Sequence, residues 1–200
     1  MQIARRRRNA PNPTAVINAT RNDWRSKCTR KRMTMLSHHP TKTKAMHEAL
    51  RQLPYALYAV GVGATPQREN AFMASWVMQC SFEPPLIAVG VRKGGKSFQL
   101  LQNAGVFTVN LLSKNQTDLA RRLVKPANRT GDKLGQISHY EEVTGAPLIR
   151  DAIAFLECRV VSSLDSGGDH MLFVGEVVNA GQGSAEPPLT CSDIGWTYAG

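Results

Sequence analysis

Short runs of aliphatic, β-branched and aromatic residues recur along the chain from residue 55 onward, and turn-forming residues separate them. Runs of about four to eight such residues between turn signals are typical of strands. We therefore predict strands over residues 55–62, 71–82, 86–91, 106–112, 153–164 and 170–178, and a C-terminal strand that includes Trp196 and Tyr198.

Helical periodicity occurs in only three short segments. Residues 43–53 place Met46, Leu50 and Leu53 near one face, and Pro54 ends the pattern. Residues 96–103 and 116–124 are the other two predicted helices. Because the strands are separated mostly by turns and only twice by helical segments, the pattern favours a mainly β, antiparallel barrel over a doubly wound parallel sheet.

The positive charge of the chain is confined to its N-terminal part. Residues 1–44 hold twelve lysines and arginines against one acidic residue, whereas the remainder holds thirteen against fourteen. We predict a basic, disordered segment over residues 1–42 and one folded domain over residues 43–200. The segment is consistent with nonspecific contact to nucleic acid or acidic surfaces, with a targeting sequence, or with no folded role, and no specific nucleic-acid binding is expected.

The four cysteines predict neither a metal site nor a redox motif. Cys28, Cys80, Cys158 and Cys191 are far apart and form no CxxC pair. Free thiols in a reducing cytosol are the preferred interpretation, so we expect a cytoplasmic protein. No apolar run approaches the roughly 18 residues of a membrane-spanning helix, and the N-terminus does not have the apolar core of a secretory signal.

A phosphate-loop pattern lies in the middle of the chain. Residues 90–97, Gly-Val-Arg-Lys-Gly-Gly-Lys-Ser, match GxxxxGK[ST] between a predicted strand and a predicted helix. A nucleotide triphosphatase is therefore a distant alternative, although the helix is short and no later strand ends in the aspartate that would complete a magnesium site. The pattern also predicts a simpler anion site at Lys96 and Ser97, beside Arg92 and Lys93. A solvated basic loop is the other interpretation.

An ordered series of motifs spans about residues 45–200. It comprises Asn70–Ile87 (NAFMASWVMQCSFEPPLI), Gly105–Leu112 (GVFTVNLL), Gly145–Leu148 (GAPL), Ala154–Arg159 (AFLECR) and the Gly168-Asp169-His170 turn before FVGEVV. This series resembles the flavin reductase-like FMN-binding split-barrel family. The resemblance implies a split β-barrel with Greek-key-like antiparallel strands, a homodimer with FMN near the subunit interface, and flavin reduction by NADH or NADPH. It also implies an electron-accepting partner protein or monooxygenase.

The resemblance also assigns roles to particular residues. The isoalloxazine ring would be lined by Ala74, Ser75 and Trp76. The polar edge and ribityl chain of the flavin would be reached by Gln79, Cys80 and Ser81. The phosphate would lie at Lys96 and Ser97. His170 is the candidate catalytic residue, and it would position the nicotinamide or hydrogen-bond the flavin.

Three of these assignments have a structural alternative. Ser75 is also consistent with an ordinary serine in a strand, and Trp76 with packing in the core or at an interface. His170 is also consistent with a turn histidine that is hydrogen-bonded to Asp169. For the whole chain, an NAD(P)H-dependent flavin reductase is the first hypothesis. An FMN-binding electron-transfer flavoprotein without reductase activity is the alternative, and a split barrel that has lost its flavin is the third.

Overall fold

The fold is given by a computed structural model, and the structure describes residues 40–63, 69–125 and 134–197, with side chains from Lys44 onward. The helices are α1 (Pro40–Leu50), α2 (Lys96–Ala104) and α3 (Thr117–Leu123), and a 3-10 helix spans Ser192–Ile194. The strands are β1 (Tyr58–Gly63), β2 (Glu69–Ala74), β3 (Val77–Ser81), β4 (Leu86–Arg92), β5 (Val106–Leu111), β6 (His139–Tyr140), β7 (Leu148–Ile149), β8 (Ala154–Asp165) and β9 (His170–Gln182).

Seven strands form one sheet in the order β2-β1-β5-β8-β9-β4-β3, and β6 pairs with β7 separately. Every pair of neighbours in the described sheet is antiparallel. Because β2 and β3 end the order without pairing to each other, the described strands form an open barrel. The predicted mainly β, antiparallel split-barrel architecture with a few short helices is confirmed.

The sheet is covered on both faces at its centre. Alternate residues of a strand point to opposite faces, and along β1 the side chain of Ala59 joins one apolar cluster whereas Val60 and Val62 join the other. Leu123 of α3 belongs to the first cluster, and Leu101 of α2 belongs to the second. The two short helices therefore close different faces of the sheet.

Buried polar groups fix the connection between β7 and the centre of the sheet. Thr108 Oγ1 donates a 2.6 Å hydrogen bond to the carbonyl oxygen of Pro147, and Asn110 Oδ1 accepts one of 2.8 Å from the backbone N–H of Ile149. At Gly61 of β1, a Cβ would collide with that same Pro147 carbonyl and with the Thr108 hydroxyl. Only glycine leaves room for this close approach.

The single strand predicted over residues 71–82 is wrong, because the chain bends at Ser75 and Trp76. Before the bend β2 pairs with β1, and after it β3 pairs with β4 at the opposite end of the sheet order. Both halves have strand-forming residues, so their different partners, and not the local sequence, create the break.

The predicted C-terminal strand is also wrong within the described residues. The segment before Trp196 is a 3-10 helix that ends at Gly195, which takes a left-handed φ of 68°. Trp196 packs half-buried against the first apolar cluster. An aromatic residue therefore fills the core from a turn, whereas Tyr198 lies outside the described residues.

The triphosphatase alternative finds no support in the topology. A phosphate loop belongs to a strand-helix-strand unit in which the strands run parallel. Here α2 leads from β4 to β5, which are not neighbours in the sheet, and the described neighbours are antiparallel.

No helix in the described ranges has both the length and the apolar character needed to cross a membrane. The predicted basic segment over residues 1–42 falls almost entirely outside the described residues. Its separation from a domain over 43–200 therefore stays a prediction.

Candidate active site at the break between β2 and β3

A cavity of about 530 Å³ lies where the chain leaves β2 and enters β3. Its volume falls within the range of about 300–1,000 Å³ that is usual for small-molecule sites. Its walls come from the β2–β3 bend, from β4, from the start of β9 and from residues near both ends of the described domain, namely Arg51, Phe72, Met73, Ala74, Ser75, Trp76, Gly90, Arg92, Asp169, His170 and Thr197. Four predicted site residues are thereby brought together: Ala74, Ser75, Trp76 and His170.

The indole of Trp76 and the imidazole of His170 form one wall. Their ring centroids are 4.5 Å apart, and the planes are inclined by 57°. The indole packs closely on β4 at Gly90, where a Cβ would be 3.1 Å from the ring and 3.2 Å from the Trp76 Cβ, so a larger residue would push the indole away by a few tenths of an ångström. The Gly90 N–H also donates a 2.9 Å hydrogen bond to the Trp76 carbonyl oxygen, which fixes the bend to β4.

His170 is held at the first position of β9, opposite Arg92 of β4. Its Nδ1 lies 2.8 Å from Asp169 Oδ1. This hydrogen bond, with a smaller contribution from the charge of Arg92, holds the pKa of the Asp169 carboxyl below its usual value. Because a carboxylate only accepts hydrogen bonds, Nδ1 of His170 carries a proton and donates it in this contact.

Ser75 supplies a buried hydroxyl to the cavity wall. The residue is 8% exposed, and its Oγ has no hydrogen-bond partner within the described part of the chain. Leaving such a group unsatisfied costs about 1–3 kcal/mol. A ligand with a polar edge, such as the pyrimidine edge of a flavin, would satisfy it, and the apolar side chains beside it would receive the ring. The residues present therefore fit the flavin that the resemblance implies.

Lys96 and Ser97 begin α2 and are not among the described lining residues. The Ser97 hydroxyl accepts a 2.9 Å hydrogen bond from Asn70 Nδ2 of β2. Asn70 lies two residues before Phe72 on the same face of that strand, which places it about 7 Å from a residue that lines the cavity. The start of α2 is therefore a neighbour of the cavity, within reach of an extended ligand.

Lys93 is committed to another contact. Its Nζ donates to Asp165 Oδ1 at 2.6 Å and to the Gly168 carbonyl oxygen at 2.7 Å. These bonds tie the β4–α2 loop to the β8–β9 turn that carries His170. The lysine that the sequence placed beside an anion site therefore positions a loop instead.

Gln79, Cys80 and Ser81 lie along β3 and are not among the described lining residues of the cavity. Gln79 Nε2 donates to the Ser81 carbonyl oxygen at 3.1 Å, and Cys80 Sγ lies 3.6 Å from the Leu86 carbonyl oxygen. Their proposed contact with a flavin stays a prediction, and it requires the ligand to extend from the cavity onto β3.

Sequence reasoning missed several lining residues. Gly90 carried a signal, because a glycine inside an apolar strand often marks the close approach of another group. Arg51 carried no such signal, since it lies within the predicted helix over residues 43–53 and is far along the chain from the other lining residues. Arg92 was noted only for an anion site.

The family model described as "Flavin reductase like domain" matches residues 50–196. An NADH-dependent FMN reductase from Streptomyces nodosus subsp. asukaensis is 32% identical over 142 residues, which are 69% of this chain and 74% of that protein. Together with the mainly β, antiparallel fold and a cavity suited to a flat ring, the family match shows that the chain belongs to the flavin reductase-like domain family.

Solved structures agree with this membership. The NADH:FAD oxidoreductase of Streptomyces globisporus has a TM-score of 0.67 and 27% identity, covering 78% of this chain and 93% of that one. An FMN-binding protein from Thermus thermophilus has a TM-score of 0.61 and 31% identity, covering 66% and 73%. The diflavin flavoproteins of cyanobacteria are much longer, and this chain spans only 18% to 25% of their length.

Proposed function

We propose that the chain is an NAD(P)H-dependent flavin reductase that binds FMN in the cavity at the β2–β3 break. One observation carries the proposal: the cavity combines the orphaned Ser75 hydroxyl, the apolar surface of Ala74 and the Trp76–His170 pair. Family membership and the similarity to an NADH-dependent FMN reductase support the same activity.

The flavin would supply hydride acceptance, and the protein would supply position and electrostatics. Ala74 and Ser75 receive the ring, and the Ser75 hydroxyl bonds its polar edge. His170, whose Nδ1–H is bonded to Asp169, places its imidazole ring beside the nicotinamide. The indole of Trp76 covers one side of the site and keeps water from that face. Hydride transfer removes no proton from carbon, so His170 acts by orientation and not as an obligatory base.

The phosphate of FMN would be bound at the start of α2. Lys96 contributes its charge and Ser97 its hydroxyl, while the backbone N–H groups of the first helical turn point toward the anion. Asn70, bonded to Ser97, links this end of the ligand to β2. Gln79, Cys80 and Ser81 would contact the part of the flavin that lies outside the cavity.

The test is steady-state oxidation of NADH and of NADPH with FMN, FAD and riboflavin, one at a time. We expect nucleotide oxidation that depends on added flavin, faster with FMN than without any flavin. A protein that binds no flavin and oxidises neither nucleotide would contradict the proposal. The rates measured with NADH and with NADPH, and with each of the three flavins, then determine which nucleotide and which flavin the enzyme prefers.

A nonreductase FMN-binding flavoprotein is the second candidate, because the Thermus thermophilus FMN-binding protein shares 31% identity with this chain. Purified protein that is yellow but does not oxidise NADH or NADPH with added flavin would favour it. Colourless protein without flavin affinity would instead indicate a split barrel that has lost its cofactor.

We further propose a cytoplasmic homodimer that passes electrons to a partner protein or monooxygenase. The free thiols of Cys80, Cys158 and Cys191 suit a reducing compartment. Met78 and Phe82, at and just after the edge strand β3, are 58% and 88% exposed, and a second subunit would cover them. Size-exclusion chromatography with light scattering tests the dimer, and a monomer at micromolar concentration would contradict it.

A further inference from the structure

Two exposed loops lead to the two ends of the proposed site. The β4–α2 loop, residues 93–95, leads to Lys96 and Ser97, where the flavin phosphate is proposed to bind. The β8–β9 turn, residues 166–169, leads to His170. Each loop contains two consecutive exposed glycines, and a Cβ at any of these four would touch nothing within 4 Å in the described part of the chain. Packing at the glycines therefore fixes neither loop.

Lys93 joins the two loops through hydrogen bonds of its backbone and of its side chain. The backbone N–H donates to the Asp169 carbonyl oxygen at 3.0 Å. The ammonium donates to Asp165 Oδ1 at 2.6 Å and to the Gly168 carbonyl oxygen at 2.7 Å. The Gly167 N–H donates to the same Asp165 oxygen at 2.8 Å. One residue of the β4–α2 loop thus holds the β8–β9 turn at its start and at its end.

The imidazole of His170 lies directly beyond this contact. Arg92 and His170 are the last pair of the β4–β9 ladder, and the bond from Lys93 to Asp169 follows it. The carboxylate of Asp169 in turn bonds the imidazole Nδ1. The residue whose backbone Lys93 holds is therefore the residue that orients the candidate catalytic side chain.

The contact between Lys93 and Asp165 is better suited to placing a loop than to stabilising the fold. The hydrogen bonds from Lys93 and from the Gly167 N–H hold the pKa of the Asp165 carboxyl below its usual value, so the pair is ionic. The two side chains are 30% and 50% exposed, and ion pairs at such positions add little to the free energy of unfolding. Loss of the pair should consequently change the position of the turn and hardly change the melting temperature.

We propose that Lys93 is a positioning residue that couples the phosphate end of the flavin site to the nicotinamide end. The inference rests on the proposed function, because it takes the phosphate to bind at Lys96 and Ser97 and the nicotinamide to lie beside His170. A phosphate that fixes the β4–α2 loop also fixes Lys93, and Lys93 fixes the β8–β9 turn. FMN should therefore order the nicotinamide end of the site, whereas riboflavin, which has no phosphate, should not.

Hydrogen exchange of the full chain tests the coupling without catalysis. Mass spectrometry of peptides that cover residues 165–170 should show exchange about fivefold or more slower with saturating FMN than with saturating riboflavin. In Lys93→Met the exchange should be equally fast with both flavins. Equal exchange with both flavins in the unmodified protein, or an FMN effect that persists in Lys93→Met, would overturn the proposal.

Nucleotide oxidation at saturating flavin gives a second test. In the unmodified protein, kcat/KM for the preferred nicotinamide nucleotide should be about fivefold or more higher with FMN than with riboflavin, mostly through a lower KM. Lys93→Met should lose this advantage. Lys114→Met is the matched control and should keep it, because Lys114 forms another exposed ion pair, at 3.0 Å from Asp193, and neither residue lines the cavity. A Lys93→Met protein that slows equally with both flavins would make the lysine structural and would overturn the proposal.

Asp165→Asn is an independent variant. It keeps an oxygen for the Gly167 N–H but removes the charge that Lys93 contacts, so it should reduce the FMN advantage. The double variant should lose no more than Lys93→Met alone, because both changes remove one contact, and additive losses would contradict the coupling. An active reductase whose FMN advantage is unchanged in Lys93→Met would contradict the inference alone. A protein that oxidises no nicotinamide nucleotide with any flavin would contradict the proposed function.

Discussion

At the scale of single residues, the site depends on groups whose partners come from distant parts of the chain. Ser75 has a buried hydroxyl without a hydrogen-bond partner among the described residues. His170 is oriented by its hydrogen bond to Asp169, and Lys96 is exposed at the start of α2. The motif series contains Ser75 and His170, and the phosphate-loop pattern contains Lys96, so the sequence alone predicts a role for all three. What it could not show is which of them share a cavity, because that depends on how distant strands pair.

Replacing Lys96 with alanine tests the phosphate site. We expect FMN affinity to fall about tenfold, because a charge-assisted contact contributes roughly 1.5–3 kcal/mol, while riboflavin affinity should hardly change. Fluorescence titration of both flavins measures the difference. Lys125→Ala, which removes an exposed charge near the end of α3, is the control. Equal losses for FMN and riboflavin would mean that Lys96 does not bind the phosphate.

Replacing His170 with alanine tests the catalytic role. Flavin reduction by NAD(P)H should slow about tenfold or the Michaelis constant should rise by a similar factor, roughly the 1.4 kcal/mol of one hydrogen bond. Stopped-flow absorbance and thermal melting should be measured on the same protein, with His47→Ala on α1, outside the described lining of the cavity, as control. A lower melting temperature with unchanged reduction kinetics would make His170 a structural residue that supports the indole of Trp76.

At the scale of elements, the long β8–β9 hairpin is anchored by a buried charge. Glu157 of β8 is fully buried, and its carboxylate accepts hydrogen bonds from the backbone of Val143 and Thr144, from the Thr144 hydroxyl and from Asn179. Burial on its own would raise the pKa of Glu157, but the hydrogen bonds outweigh it and hold the pKa below its ordinary value. The carboxylate thus joins β8 and β9 to the segment that precedes β7.

Glu157→Gln should destabilise the protein by about 2 kcal/mol or more, because an amide N–H group replaces an acceptor that faces donors. The folded-state pKa is lowered, so the stabilisation is complete above the ordinary value near 4.3 and is lost as pH falls through the folded-state pKa. Urea unfolding at several pH values should therefore show the two proteins converging below pH about 4. Glu141→Gln, at an exposed neighbour, should show no such convergence.

The sequence predicted most elements because their signals are local. The apolar runs of β4, β5, β8 and β9 are bounded by turn residues, so each strand can be predicted from its own local sequence. The bend at Ser75 and Trp76 has no such boundary, since no glycine or proline interrupts the run. Only the pairing of β2 with β1 and of β3 with β4 reveals it. The cavity sits at that bend, so its location could not be predicted from local pattern.

At the scale of the whole molecule, the excess of positive charge and the described core lie in different parts of the sequence. Residues 1–44 carry the excess of lysine and arginine, whereas the apolar clusters and the candidate site found among the described residues are built from residues after Lys44. The net charge of +10 therefore says little about the proposed site. It bears on weak, salt-dependent attraction to polyanions instead.

This separation predicts that a chain starting at Lys42 keeps the properties of the folded domain. Its melting temperature should stay within about 2 °C of that of the full chain, because the basic segment is predicted to lie outside the folded domain, and removing such residues changes stability by about 0.5 kcal/mol or less. Its affinity for FMN should also be unchanged.

Binding to nonspecific DNA at low salt should weaken, since ten of the 25 lysines and arginines are removed. A chain starting at Pro54 is the contrasting control, because it also loses α1 and Arg51, which lines the cavity at the β2–β3 break, and it should bind FMN less tightly. If the chain starting at Lys42 unfolds or loses FMN, then the basic segment is part of the fold, and the boundary placed near residue 42 is wrong.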